Sequence, residues 1–498
     1  MSKMNWGKRP YAVLALFAAT AMALPAQTFT TLHSFDGGDG ENPQIAVLVQ
    51  GIDGNLYGTM PSGGAYSGGT VFKITPSGTF TTIYNFCSQS GCSDGKYPLA
   101  GLIQTTDGDF YGTTSYGGGK GGANCAPDGG CGTIFKITPG GVLTTLYSFC
   151  AQSGCTDGIS PWALVQGTNG YLYGTTDEGG ANCVAGGGCG TVFRIAPSGG
   201  STFKTLYSFC AQDYPQCTDG DIPYAGLVQG TNGDFYGTTY FGGTGFGTVF
   251  KMTPTGTLTT LHAFDVVDGQ YPLAGLVQAT SGEFYGTTEI GGTNDGTVFR
   301  IAPSGGSTFK TLYSFCARSG CADGDQPMAG LVQATNGDFY GTTSSAGTNG
   351  GGTVFKIAPS GKLATLYNFC AQSGCADGYE PLAGLVQATN GTFYGTTFYG
   401  GNCGDTDGCG TLFSLSVGLG QFVKTLPTSG KVGAVVEILG TDLTGATSVT
   451  FNGTAAVFTV KSASEITTTV PTGATTGKVQ VMTSGGTLLS NVPFRVLP

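Results

Sequence analysis

A tyrosine–glycine pair preceded by an aromatic residue or leucine recurs at Tyr57, Tyr111, Tyr173, Tyr236, Tyr285, Tyr340 and Tyr394. Seven copies of one unit, about 56 residues apart, constrain the fold more than any other feature, because a period of this length marks a chain built by stacking a single supersecondary module. In consensus each copy reads P-L-A-G-L-V-Q, A-T-N-G-D, F-Y-G-T-T, a glycine-rich loop, G-T-V-F-K-I, a P-S-G turn and T-L-Y-S-F. Four short β-type runs follow. Asn-Gly, Asp-Gly or Ser-Gly joins the first to the second, and Pro-Ser-Gly or Pro-Thr-Gly joins the third to the fourth, all hairpin chemistry. Each copy is expected to be a four-stranded antiparallel meander, and seven arranged radially make a seven-bladed β-propeller. Composition agrees: 90 glycines in 498 residues, 11% aromatic and 10% charged residues exclude long helices and disorder, and the lack of a G-X-Y period excludes collagen.

The ends of the array carry a second constraint. A fourth-strand element, Thr31 to Phe35, precedes the first complete copy, while the seventh copy stops after its third strand at Thr411-Leu412-Phe413. If the N-terminal strand completes the last sheet, every sheet has four strands and the first and last copies are joined by hydrogen bonds instead of being left as exposed edges. The expectation is a ring closed by the N-terminal strand; an open β-solenoid or a pair of smaller propellers are the alternatives.

The L-Y-G-T-T, G-G, G-T-V-F-K and L-Y-x-F elements resemble the tandem repeat of the Gloeobacter/Verrucomicrobia (GloVer) family of secreted bacterial proteins, and more distantly kelch repeats, over roughly residues 28–417. The resemblance implies an exported, repeat-built chain and brings no catalytic residues with it. Local departures are Pro161-Trp162-Ala163-Leu164 and Ser345-Ala346-Gly347, where other copies carry Gly-Gly. Beyond a short linker at 418–420, residues 421–498 become rich in Thr and Val. Alternating runs around Val435-Glu437-Leu439, Val449-Phe451, Ile466-Thr468-Val470 and Val479-Val481 read as an immunoglobulin-like β-sandwich similar to the IPT/TIG type.

Residues 1–26 read as a signal peptide. Lys3, Lys8 and Arg9 precede an apolar run from Tyr11 to Leu24, and small residues offer cleavage after Ala23 or Ala26. No later segment is apolar enough to span a bilayer, so the mature chain, 27–417 as propeller and 421–498 as sandwich, is expected to be secreted, extracellular, cell-surface or periplasmic, and monomeric. Its charge of −10, or −13 without those three cations, disfavours nucleic acid as a partner.

Sixteen cysteines fall into eight neighbouring pairs: Cys87 with Cys92, Cys125 with Cys131, Cys150 with Cys155, Cys183 with Cys189, Cys210 with Cys217, Cys316 with Cys321, Cys370 with Cys375 and Cys403 with Cys409. Export makes disulfides the natural reading, and two histidines without any C-x-x-C leave zinc little support. All these cysteines belong to the second-to-third loops and the fourth-to-first connections, which share the face opposite the hairpin turns. That loop face also carries Asp39, Asp94, Asp157, Asp219, Asp268, Asp323 and Asp377, read as turn residues that bond nearby amides, with a Ca²⁺ ring as the alternative and no other cofactor expected. Gln50, Gln104, Gln166, Gln229, Gln278, Gln333 and Gln387 read as ties between blades, and His33 and His262 as substitutes for the tyrosine of the other copies.

Groups repeated seven times are poor candidates for a specific site, and positions that break the repeat are better ones. After G-T-T these are Tyr116, Glu178, Tyr240, Phe241, Glu289, Phe398 and Tyr399. Rings interspersed with carboxylates can stack on sugar faces and bond hydroxyls; packing between blades is the alternative. No nucleophile triad, P-loop or dinucleotide fingerprint is present. The expected function is an exported binding or cell-surface interaction protein whose partner is an extracellular glycan or surface protein; a hydrolase or lyase on extracellular polysaccharide and a purely structural role are the alternatives.

Overall fold

The computed structural model describes residues 27–498 apart from 46, 120–124, 126–129, 184–187, 294 and 402–407; the expected signal peptide and Cys403 lie outside the described residues. Within those residues each repeat forms one four-stranded antiparallel sheet. The second sheet, taken as the type, runs Ile103–Gln104, Phe110–Thr114, Thr133–Ile137 and Leu143–Ser148 in spatial order. Equivalent sheets begin at Val49, Ile159, Val228, Val277 and Val332. The seventh, Val386–Gln387, Phe393–Thr397 and Thr411–Ser416, takes its fourth strand from the far end of the chain, Thr28–Ser34. No α-helix occurs among the described residues, only short 3-10 turns.

The glycine of F-Y-G-T-T is a packing requirement. Gly112 lies opposite Phe135 on the neighbouring strand, and a Cβ there would come within 2.6 Å of the Phe135 ring. The same clash, at 2.5–2.8 Å, is set up at Gly58, Gly174, Gly237, Gly286, Gly341 and Gly395. The third-strand phenylalanine therefore lies across its own sheet because the second strand has no side chain there.

The tyrosine before that glycine points to the next sheet. Tyr57 packs on Phe110 at 4.1 Å, Tyr173 on Phe235 at 4.1 Å, Tyr236 on Phe284 at 4.0 Å, Tyr285 on Phe339 at 4.0 Å and Tyr340 on Phe393 at 4.3 Å. Where the next copy has leucine, Tyr111 shares a buried cluster with Leu172, and Tyr394 shares one with Leu56. The core is thus distributed between neighbouring sheets, and one cluster joins the seventh sheet to the first.

Polar ties follow the same route. The hydroxyls of Thr59, Thr113, Thr175, Thr238, Thr287 and Thr342 donate to a main-chain carbonyl of the next sheet at 2.9–3.2 Å. Side-chain carbonyls of Gln104, Gln229, Gln278, Gln333 and Gln387 accept from the amides of Ile52, Thr168, Thr231, Thr280 and Thr335 of the preceding sheet. Gln50 accepts from the Thr389 amide at 2.9 Å and donates to its hydroxyl at 3.1 Å, joining first sheet to seventh.

The innermost strand is shorter than the seven-residue P-L-A-G-L-V-Q run. Only Val-Gln or Ile-Gln pairs regularly, except in the third sheet, where Ile159–Gln166 is continuous. The physical reason is that the preceding backbone serves the neighbours. Tyr97, Ile222 and Tyr271 adopt φ of 56°, 55° and 59°, as do their equivalents Asn42, Ser160, Gln326 and Glu380 at 52–57°. In this left-handed conformation the Tyr97 amide donates to Gly68 of the first sheet's loop while its carbonyl accepts from Ser115. Seven strained residues at one position persist because each is held by main-chain bonds of this kind.

On the loop face the recurrent aspartates are turn residues, as expected. Asp94 is buried and accepts from the amides of Ser88 and Gln89 and the Tyr84 hydroxyl; Asp157, Asp219, Asp323 and Asp377 repeat the arrangement with Tyr147, Tyr207, Tyr313 and Tyr367.

The cysteines pair within their loops. Disulfides join Cys87 to Cys92, Cys150 to Cys155, Cys210 to Cys217, Cys316 to Cys321 and Cys370 to Cys375 in five of the fourth-to-first connections. In the second-to-third loops Cys125 is joined to Cys131 and Cys183 to Cys189. Cys409 is likewise disulfide-bonded and buried at the end of the last such loop; the expected pairing with Cys403 falls on a residue outside the described set. Backbone strain accompanies the closures, because Cys92, Cys217 and Cys375 take φ of 49°, 51° and 52°, a left-handed conformation that composition and spacing alone did not suggest. A reversal of the chain over so few residues is what places the two sulfurs together. In the two copies lacking cysteines in the fourth-to-first connection the tyrosine is replaced: His33 bonds Asp39 at 2.6 Å and His262 bonds Asp268 at 2.8 Å. A charge-capable contact stands where the loop has no covalent closure.

Residues beyond 420 form two four-stranded sheets, Lys424–Leu426, Val435–Leu439, Glu465–Thr469 and Phe458–Val460 against Thr454–Ala456, Ser448–Phe451, Val479–Thr483 and Gly486–Leu489. Their core holds Val436, Ile438, Val449, Phe451, Ile466 and Val481. This sandwich rests on the hairpin-turn face: the Phe422 amide donates to Thr389, Ser464 Oγ donates to the Ile52 carbonyl at 2.9 Å, and Lys424 Nζ donates to the Gln387 carbonyl at 2.6 Å.

Gln50→Ala removes both of its bonds between the first and seventh sheets and leaves the Thr389 amide without its acceptor, an expected cost of about 2 kcal/mol. Denaturant unfolding should show an earlier midpoint at unchanged slope, and a wild-type midpoint would contradict the tie. Asp39 is held below the usual carboxylate range; burial opposes this, but hydrogen bonds from His33 and the Asp36 amide outweigh it. A depressed carboxylate stabilises above its unfolded-state pKa and loses that contribution as pH falls through its folded value. Protection of the Asp36 and Asp39 amides, measured relative to their intrinsic exchange rates, should therefore fall only in acid, and His33→Phe should move that onset to higher pH; an unmoved onset would contradict it.

Candidate functional site

The residues after G-T-T reach the loop face because the second strand is continued there by main-chain bonds to the strained residues. The amides of Ser115, Tyr240, Glu289, Ser344 and Phe398 donate to the carbonyls of Tyr97, Ile222, Tyr271, Gln326 and Glu380. Isolated bridges such as Lys96 with Tyr116 and Asp221 with Phe241 continue the pairing by one residue. Two variable side chains per repeat are thereby set beside the residues flanking the recurrent proline.

Three of the residues singled out from sequence meet directly. Tyr240 donates its hydroxyl to Glu289 Oε2 at 2.9 Å and lies edge-on to Phe241 at 4.7 Å. Phe241 is 37% exposed. Tyr240 also stacks on Tyr271 at 4.9 Å and meets Tyr224 edge-on at 5.3 Å, and Tyr224 meets Trp162 at 5.2 Å. A continuous path of rings thus crosses the third, fourth and fifth sheets. Glu178 and Tyr116 both act electrostatically on Tyr224, and Tyr116 packs edge-on against Tyr97 of its own sheet. Phe398 and Tyr399 pack edge-on against each other, and Tyr399 stacks on Tyr379.

Sequence reasoning missed Trp162, Tyr224, Tyr271 and Asp221, and of the variable pair Asp177-Glu178 it carried only Glu178 forward as a candidate. A signal was present: the slot after the recurrent proline reads Gln44, Leu99, Trp162, Tyr224, Leu273, Met328 and Leu382, so two adjacent copies carry large polar-edged aromatics where most others carry aliphatics. These two rings also line a cavity of about 360 Å³ bounded by equivalent residues of all seven sheets, among them Val47, Gly101, Ala163, Gly226, Gly275, Gly330 and Gly384.

The electrostatics of this region are one-sided. Tyr224 is raised above its ordinary value, first by burial and then by the charges of Asp177, Glu178 and Asp221. Asp177 is pushed up to about 7, chiefly by burial, with the Glu178 charge adding and the Trp162 and Ser160 side chains partly offsetting. Asp177 Oδ1, Trp162 Nε1 and Ser115 Oγ are buried without hydrogen-bond partners among the described residues. Asp221 is raised by burial, against amide bonds from Cys189 and Ile222. Metal-capable groupings lie elsewhere. The sulfurs of Cys125, Cys131, Cys150 and Cys155 lie within 4.8 Å of one another and are spent on two disulfides, and Asp295 lies beside the Cys316–Cys321 bridge.

The model of the Gloeobacter/Verrucomicrobia repeat matches residues 16–155, 120–334 and 317–455, and that of the IPT/TIG domain matches residues 422–496. Among solved structures the chain is similar to virginiamycin B lyase from Staphylococcus aureus, with 13% identity and a TM-score of 0.50 over 78% of this chain and 99% of that one. It is likewise similar to a fungal alcohol oxidase of the AA5 family in complex with copper, with 12% identity and a TM-score of 0.50 over 95% of this chain and 99% of that one. At such identity the likeness is one of fold, which is propeller-like, and carries no activity across. No curated protein matches the chain in sequence. With repeat matches running through most of its length, the chain belongs to the Gloeobacter/Verrucomicrobia repeat family and carries a C-terminal IPT/TIG domain.

Proposed function

We propose that this is an exported extracellular binding protein that holds glycan on the loop face of a closed seven-bladed ring, residues 27–417, with residues 421–498 as an appended sandwich. Closure is supported by the pairing of Thr28–Ser34 with Thr411–Ser416, the Gln50–Thr389 bonds and the cluster containing Tyr394 and Leu56. Export is supported by the disulfides in the loops.

The observation that carries the binding reading is the ring path Trp162–Tyr224–Tyr240–Tyr271, with Phe241 exposed beside it and carboxylates along its edge. Sugars present apolar C–H faces and hydroxyl edges, and such a surface offers π-faces to the first and acceptors to the second. The path arises only where the repeat is broken, which separates it from the Tyr–Phe packing common to the copies.

Retention on immobilised extracellular polysaccharides should fall at least tenfold, about 1.4 kcal/mol, in a Tyr240→Ala, Phe241→Ala double variant whose unfolding midpoint stays near wild type. Unchanged retention would reject this surface. Release of new reducing ends or unsaturated products on incubation would instead assign catalysis.

A further inference from the structure

A cavity of about 200 Å³ lies at the seam between the array and the sandwich, on the face opposite the aromatic path. Its apolar walls are Leu48 and Val49 of the first repeat, Val386 of the seventh, and Leu426 and Leu439 of the sandwich. Gln50 and Gln104 also line it, with their amides engaged by Thr389 and by Ile52 and Gly108 respectively. Among the described residues of the lining, Lys424 is the one that carries charge. It pairs with Leu439 across two strands, and side chains alternate along a strand, so Lys424, Leu426 and Leu439 share the face turned to the array. Lys424 Nζ has three hydrogens to donate and one acceptor, the Gln387 carbonyl at 2.6 Å, and it forms no ion pair among the described residues. Glu437, on the same face of the neighbouring strand, accepts from Thr467 at 2.7 Å instead. Burial pushes the Lys424 ammonium down to about 8, and no charged group contributes to that shift. Lys424 and Leu426 keep part of their surface exposed, so the cavity is not sealed from solvent.

We propose that this seam cavity binds a small monocarboxylate with a compact apolar body, its carboxylate on the Lys424 ammonium and its body against Leu48, Val386, Leu426 and Leu439. The site is separate from the glycan surface and does not depend on it. An ammonium withdrawn from water without a counter-charge is costly, and an anion that meets it recovers that cost on binding. The walls select the rest of the ligand, since an apolar cavity of about 150 Å³ is enough to hold benzene. A neutral ligand of the same shape leaves the ammonium uncompensated, and acetate has no body to fill the walls. The chain's net charge of −10 opposes anions at long range, so retention of one is a local effect. The bound anion favours the charged form of Lys424, so binding above about pH 8 draws a proton from solution. Because first repeat, seventh repeat and sandwich meet at this cavity, its occupant also fastens the sandwich to the point where the array closes.

The test is calorimetric titration of the full chain with benzoate, benzamide and acetate at neutral pH. Benzoate should bind at least about tenfold tighter than either of the others. In two buffers of different ionisation enthalpy near pH 8.5, its binding should take up about half a proton or more, and its affinity should fall about tenfold between pH 7 and pH 9.5. Lys424→Met keeps an unbranched apolar stem and removes the charge; it should reduce benzoate to the level of benzamide and abolish the proton uptake. The pH dependence of the unaltered chain decides the question even where that variant fails to fold. Benzoate held as tightly by a folded Lys424→Met chain, or with the same affinity across that pH range, would overturn the site. Equal binding of benzamide would overturn the role of the ammonium and the proposal with it. Failure of all three to bind would likewise overturn it, and none of these results touches the glycan surface on the opposite face.

Discussion

The contact on which the rest depends is the passage of one aromatic ring from each sheet to the next. A four-stranded sheet of five-residue strands has too little apolar surface to be stable alone, so its burial must come from its neighbours. Here the second-strand tyrosine leaves its own sheet to pack on the following copy's phenylalanine or leucine, as Tyr236 does on Phe284 and Tyr394 does with Leu56. The adjacent glycine lets the third-strand phenylalanine lie flat over the space left behind, as at Gly237 beneath Phe250. The two residues form one device. Glycine empties a site in its own sheet, and tyrosine fills a site in the next.

Once the sheets are locked in this way, the loop face can carry structure that would not hold itself. Each connection folds around an aspartate that gathers loop amides and one aromatic hydroxyl or imidazole, and five of the seven connections add a disulfide. The two connections without one are those with histidine at the aromatic position, His33 and His262. Loops stiffened by such means place the variable residues after G-T-T against the strained residues before the proline, and departures from the repeat therefore meet as neighbours.

The architecture was legible in the sequence because every element needed for it recurs: the period, the hairpin turns, the offset of the first strand and the pairing of cysteines. The inner strand was less so, since P-L-A-G-L-V-Q reads as one continuous run, whereas in most copies only its last two residues pair regularly with the second strand and the alanine carbonyl accepts from a threonine of the preceding sheet. Spacing showed that Cys92 belongs with Cys87 and Cys375 with Cys370, but the left-handed backbone at Cys92 and Cys375 depends on the turn that each short ring imposes and leaves no mark in residue type. The candidate site was legible only in part. Tyr240, Phe241 and Glu289 stood out as breaks in the repeat, but Trp162, Tyr224 and Tyr271 contact residues many positions away in the chain, and equivalent slots become neighbours only in three dimensions. Of the adjacent pair Asp177 and Glu178, both lay in a variable position; which one points inward follows from the alternation of the strand and the burial it meets, not from residue type.

Lyase and oxidase neighbours of similar fold show how little the scaffold dictates chemistry, and the site has to be judged by its own groups. What precedes any site is the geometry of the array. Single-particle images of the chain viewed along the array axis test that geometry most directly. Closed discs with seven spokes are expected, with no gap between the first and last repeats. An open arc, two separate smaller rings or an elongated rod would contradict the contact of Tyr394 with Leu56 and everything built upon it.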